Sequence, residues 1–176
     1  MHLTITIPPA QLRDVLPSER ELAQAAGRAV SSIVKNRLSE RDHRGRSDGL
    51  PRTGYYGEAS NSVTTEISGK TALITIHKEG VALHYYGGVV YPTDGHKALA
   101  IPKVAAVAGK RPAEADRSKF ALVWPKGSTT GTLRDKETNE VVYLLVPKAK
   151  IPEDKSILPT EDEMVEAGKS AMEAIL

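Results

Sequence analysis

Five histidines, His2, His43, His77, His84 and His96, are the side chains of this 176-residue chain best suited to hold a metal or carry a proton. None of them stands in a His-Glu-x-x-His or comparable ligand spacing, and Asp94-Gly95-His96 reads as turn chemistry. The stretch nearest to a nucleophile elbow, Gly127-Ser128-Thr129-Thr130-Gly131, lacks the Gly-x-Ser-x-Gly pattern and sits in polar surroundings. A phosphate cradle needs a glycine-rich turn between a strand and a helix, whereas Gly87-Gly88 leads into Val89-Val90-Tyr91, more extended chain. The absence of cysteine excludes disulfides, thiolate metal sites and a thiol nucleophile, and suits a reducing cytoplasm. Glu161 and Glu163 are explained as acids at a helix start, where the dipole favours them. The expectation is a protein that is not an enzyme and holds no cofactor or metal.

Two groups of residues point instead to binding. Arg41, Arg44, Arg46 and Arg52 fall in a polar, glycine-punctuated stretch from 41 to 53, which reads as a loop. It is either a loop that orders on contact or a plain surface connection. The second group is His84-Tyr85-Tyr86-Gly87-Gly88, read as the end of a strand over Val81 to Tyr86. Adjacent tyrosines on a strand point to opposite faces, one to the core and one outward, and paired glycines allow a bend or a close approach of another backbone. Tyr85 and Tyr86 are therefore interface candidates beside the four arginines, while Gly87 and Gly88 are chiefly fold determinants.

Positioning these residues falls to elements legible in the pattern. Leu3 to Ile7 alternates as a strand that Pro8 and Pro9 end. Ser18 and Glu21 form a capping box, followed by Leu22, Ala25, Ala26, Ala29, Val30, Ile33, Val34 and Leu38 at helical spacing. A helical turn is expected over Tyr55 to Ser60. Val63 to Ile67 and Thr71 to Ile76 flank the turn Ser68-Gly69-Lys70 as a hairpin, and Val81 to Tyr86 would extend it to a meander. Ala98 to Pro102, Phe120 to Trp124 and Glu140 to Val146 read as further strands, and Lys103 to Gly109 as a helical turn. Pro125 to Asn139 reads as an exposed loop or hairpin tip. Thr160 and Glu163 form a second capping box, opening a helix with Met164, Val165, Ala167, Ala171, Met172 and Ile175 on its apolar side. Strands framed by a helix at each end indicate an α+β fold: an antiparallel sheet of about five to seven strands packed by a long N-terminal and a C-terminal helix. The length fits one domain, 1–176, with mobile loops 41–53 and 125–139.

Charge is uneven along the chain. The net +2 divides into +3 over residues 1–52, −5 over 153–176 and +4 between them, so basic and acidic ends could pair head to tail between subunits or stand as separate solvated faces. No stretch approaches the roughly 18 apolar residues that span a bilayer. The start lacks the basic head and apolar run of a signal peptide, so an unexported protein without membrane contact is expected.

Four segments, in order, resemble proteins of tailed bacteriophages and prophages: Pro51-Arg52-Thr53-Gly54-Tyr55-Tyr56-Gly57-Glu58-Ala59, Gly80 through Pro92, Lys97-Ala98-Leu99-Ala100-Ile101-Pro102, and Ala108-Gly109-Lys110-Arg111-Pro112-Ala113-Glu114. Tyr143 to Val146 through Ser156 to Thr160 is similar to the same group, so the likeness spans about residues 50–160. The family is that of virion morphogenesis or tail-completion proteins. The resemblance implies an assembly role at the head–tail neck or tail end, as tail terminator, tail-completion or head–tail joining protein, in the virion and in the host cytoplasm during assembly. It implies self-association into a ring, six-membered, and partners among neck, portal-connector and tail-tube proteins, with room for non-specific contact with DNA in a channel. No catalytic residue comes with it. Loops 41–53 and 125–139 are the segments such a subunit would reserve for neighbours. A reading from another class is a nucleic-acid-associated accessory protein using the basic loop 41–52.

Overall fold

The computed structural model describes the backbone of residues 2–6 and, more fully, residues 17–43 and 53–176. Its contacts divide the chain into two compact units, one made of Met1–Arg44, Gly54–Tyr86 and Glu153–Leu176, the other of Gly45–Thr53 and Gly87–Pro152.

In the first unit, strand β1 (His2–Thr6) is followed by helix α1 (Glu19–His43), the short helix α2 (Tyr55–Asn61), strands β2 (Val63–Ser68) and β3 (Thr71–Ile76), helix α3 (Val81–Tyr86) and the C-terminal helix α4 (Glu161–Glu173). Both capping boxes form. The Ser18 N–H donates to the Glu21 carboxylate at 2.7 Å and the Glu21 N–H to Ser18 Oγ at 3.3 Å. Thr160 and Glu163 repeat the exchange at 2.7 and 3.2 Å. The stripe of α1 is buried at Leu22, Ala26, Val30, Val34 and Leu38 as its spacing dictates. Gly27 on the same face lets α1 approach the sheet closely, since a Cβ there would stand 2.7 Å from that of Ala72. Val30, Val34 and Leu38 join Ala59, Val63, Ile74, Ile76, Val81, Ile157 and Leu158 in one core. Burying a leucine such as Leu38 completely contributes about 2 kcal/mol or more.

The strands of this unit are antiparallel in the order β1-β3-β2, with Gly69 at φ +57° in the β2–β3 turn. The expected meander is therefore replaced by pairing of β3 with β1. Val81 to Tyr86 is a helix and not a strand. Gly80, at φ +86°, turns the chain, the His84 N–H donates to the Gly80 carbonyl, and Gly87, at φ +70°, ends the helix in the left-handed conformation. A six-residue apolar run is ambiguous by periodicity. Here it buries one side chain fully, Val81, as a single helical turn requires.

The second unit holds β4 (Gly88–Val90), β5 (Leu99–Pro102), β6 (Phe120–Val123), β7 (Gly131–Asp135), β8 (Val141–Val146) and β9 (Ala149–Ile151). β4 pairs with β9 in a two-stranded ribbon, and the others form an antiparallel sheet in the order β5-β8-β7-β6. The segment 125–139, expected as one loop, thus contains a strand. Leu133 is the one apolar side chain of β7, so pattern cannot reveal it; the ladders to β6 and β8 hold it in place. Val107, Val142 and Tyr143 form the buried core, with Ala100, Val104, Ala115, Phe120 and Leu133 packed against them. The Tyr143 hydroxyl donates to the Lys110 carbonyl at 3.2 Å, which satisfies its polar end in the interior.

The architecture is α+β, with a long N-terminal helix, a C-terminal helix and antiparallel sheets, the strands being shared among three small sheets. No helix among the described residues is long and apolar enough to cross a membrane.

Candidate functional site

Of the residues singled out for contact, Arg44, Arg46 and Arg52 lie outside the described residues. Arg41 does not sit in a loop: α1 continues to His43, and Arg41 projects from its last turn. The helix persists because its last turn is tied down from outside. Asp42 Oδ1 accepts the Tyr56 N–H at 3.2 Å, and the Arg41 guanidinium donates to Asp154 Oδ2 at 2.5 Å.

Around this ion pair the first unit gathers an aromatic group. Tyr55 meets Tyr56 edge-on at 5.1 Å between ring centroids, and the His84 ring lies 5.2 Å from Tyr55 and 5.8 Å from Tyr56. The Tyr55 hydroxyl donates to the Glu79 carbonyl at 2.7 Å, and the Asp154 N–H donates to the His84 carbonyl at 3.0 Å. Burial, with Tyr56 beside it, pushes the Tyr55 phenol up to about 12. Burial likewise raises Tyr56, against the lowering pull of Arg41. His84 is held below its ordinary value, first by burial and then by Arg41, with Asp154 opposing. The Ser156 hydroxyl, then the Ser156 N–H and the charges of Arg41 and His84, hold Asp154 low. The cluster is a set of uncharged rings locked by one charged pair. It braces the end of α1 against α3 and the Lys155–Ile157 turn, and Arg41 is committed to that brace.

Tyr85 and Tyr86 do not point to opposite faces, because they are helical neighbours. Their rings touch edge-on at 4.9 Å, and Lys155 Nζ sits 4.1 and 4.2 Å from the two centroids. Tyr85 packs on the core, and Tyr86 remains 59% exposed.

A second surface lies in the other unit and was not singled out by residue pattern. Among the described residues β6 is an edge strand, paired with β7 on one side. Leu122 and Val123 on it and Trp124 just past its end have exposures of 63%, 40% and 43%. Trp124, the one tryptophan in the chain, is held in place: its indole N–H donates to the Ser128 carbonyl at 2.9 Å, and its ring packs against Gly131, leaving no room for a Cβ there. Gly131 in turn is buried beneath it. A rigid, half-exposed indole beside exposed aliphatic side chains has the composition of a protein contact. The available signal was the unbroken apolar run Phe120 to Trp124, which a strand buried on one face would have interrupted with polar residues.

Among the described residues no group of three His, Asp or Glu side chains is placed to hold a metal ion. Scans against protein-family models and searches of characterised proteins and of solved structures return no match.

Proposed function

We propose that this chain is a structural subunit of a tailed bacteriophage, working at the head–tail neck or the tail end by association with other protein chains and not by catalysis. In this reading it self-associates into a ring, six-membered as the family resemblance implies, and meets neck, portal-connector or tail-tube proteins. The observation that carries the association part is β6, among the described residues an edge strand paired on one side, with Leu122 and Val123 exposed on its two faces and Trp124 exposed just past its end. Exposed apolar side chains along an uncovered edge have the composition of a contact surface. The virion part rests on the ordered likeness of residues 50–160 to tail-completion proteins.

The test is removal of the gene from a phage that encodes the chain, with mass spectrometry of intact particles. Complete particles should contain the chain, and its loss should leave heads and tails unjoined or tails of irregular length. Normal particles in its absence would sink the reading. Retention of the isolated chain on duplex DNA, with a steep fall as salt rises, would favour the accessory-protein alternative instead.

A further inference from the structure

The exposed strip on β6 has a charge frame that selects its occupant. Lys119, whose exposed ammonium reaches Asp116 only at 4.0 Å, and Lys126 stand just before and just after the strip, at most about 23 Å apart along an extended chain. Two copies of β6 paired across a two-fold axis would bring these lysines together, so the charges disfavour self-pairing of the edge and call for an acidic partner. Residues 87–152 carry eleven Lys/Arg against six Asp/Glu, whereas 153–176 carry two against seven. The acidic partner is present in the chain itself.

α4 turns Met164, Ala167, Gly168, Ala171 and Met172 inward, and its opposite face carries Glu161, Asp162, Val165, Glu166, Lys169 and Glu173, all exposed. Val165, at 45% exposure, is the apolar centre of that face. From Glu161 to Glu173 the helix rises about 18 Å, close to the span between the two lysines. Each surface is thus an apolar centre inside a charged frame, with opposite signs and similar lengths. Glu163 does not belong to this face, being held by Thr160 and by Arg37 at 2.6 Å.

We propose that the outward face of α4 in one copy packs along β6 of a second copy, Val165 against Leu122 and Trp124, with Glu161, Asp162, Glu166 and Glu173 answering Lys119 and Lys126. This names the surfaces for the self-association proposed above and rests on that reading. The contact is heterologous, so every copy offers one β6 and one α4, and repetition closes a ring when the rotation per copy divides a full turn. One helix on one strand buries less than the roughly 1,200 Å² of a stable complex. The association is therefore weak and salt-sensitive, as suits a subunit that assembles on a template.

Sedimentation of the full-length chain at low and high salt tests this with two variants, Lys119→Glu with Lys126→Glu, and Glu166→Lys with Glu173→Lys. All four side chains are exposed, and circular dichroism checks that the fold is kept. The wild type should form oligomers beyond a dimer, and each variant alone should associate roughly a hundredfold more weakly. An equimolar mixture should regain oligomers in which the two variants alternate, because the intact β6 of one meets the intact α4 of the other and the two reversed faces are again opposite in charge. The chain with all four charges reversed should regain oligomers. Variants that assemble like the wild type, a mixture that does not pair, or a wild type monomeric up to about millimolar concentration would overturn the proposal. The same variants incorporated normally into particles would discard this seam and leave the neck assignment standing; a chain missing from particles would discard the neck assignment alone.

Discussion

Leu38 and Tyr143 are both fully buried, yet they sit in very different company. Leu38 belongs to a core of ten buried residues drawn from helices, strands and the Ile157–Leu158 segment of the first unit. Tyr143 has two buried companions, Val107 and Val142, in the second. The first unit covers its sheet with α1 and closes the end of that helix with an ion pair and an aromatic group. The second leaves an apolar edge in solvent. Exposed charges over a well-packed core can be changed at little cost, whereas an uncovered apolar surface stays available for another chain. The larger core is thus expected to carry stability in the first unit, while the second unit supplies the apolar edge that the α4 face of another copy would cover.

The strongest way to break this contrast is to cut into each core in turn. Tyr143→Ala should cost about 4 kcal/mol and Leu38→Ala about 3 kcal/mol. Hydrogen exchange should place the Tyr143→Ala loss in the amides of β5 to β8 and leave α1 protected, while Leu38→Ala should do the reverse. Equal loss of protection in both units after Tyr143→Ala would mean that they unfold as one, and the contrast would fall. A smaller effect sharpens the role of α4. Thr160→Ala removes the hydroxyl that accepts the Glu163 N–H and should lower stability by about 1 kcal/mol, read from the urea midpoint. The loss should appear in exchange of α4 amides and not in β6.

The smallest effect separates the units by pH. His84 has a lowered value in the folded state, so the unfolded chain binds that proton more tightly. Its contribution is present above the unfolded value of about 6.5 and is lost as pH falls through the lower folded value. Asp154, also lowered, contributes above the unfolded carboxylate value of about 3.9 and loses this as pH falls through its own folded value. The first unit should therefore weaken in two acid steps, and His84→Gln should abolish the upper one. An unchanged slope of stability against pH in that variant would remove His84 from the brace.

What the amino-acid order determines by itself is whatever depends on near neighbours along the chain. Both capping boxes, the α1 stripe from Leu22 to Leu38, the β2–β3 hairpin around Gly69 and the strand β8 follow from spacings of two, three and four residues, and the α+β class follows from their order. The absence of cysteine likewise rules out thiol chemistry without any structure. Tertiary structure decided the rest. Val81 to Tyr86 is a helix because Gly80 and Gly87 both take left-handed conformations around it, and β7 exists because two neighbouring strands supply its ladder. Arg41 is a brace and not a loop contact because Asp154, 113 positions later, comes to 2.5 Å. The exposure of Leu122 and Trp124 is of the same kind. An apolar residue in sequence is a candidate for burial, and whether anything covers it is settled by which strands lie beside it and which do not.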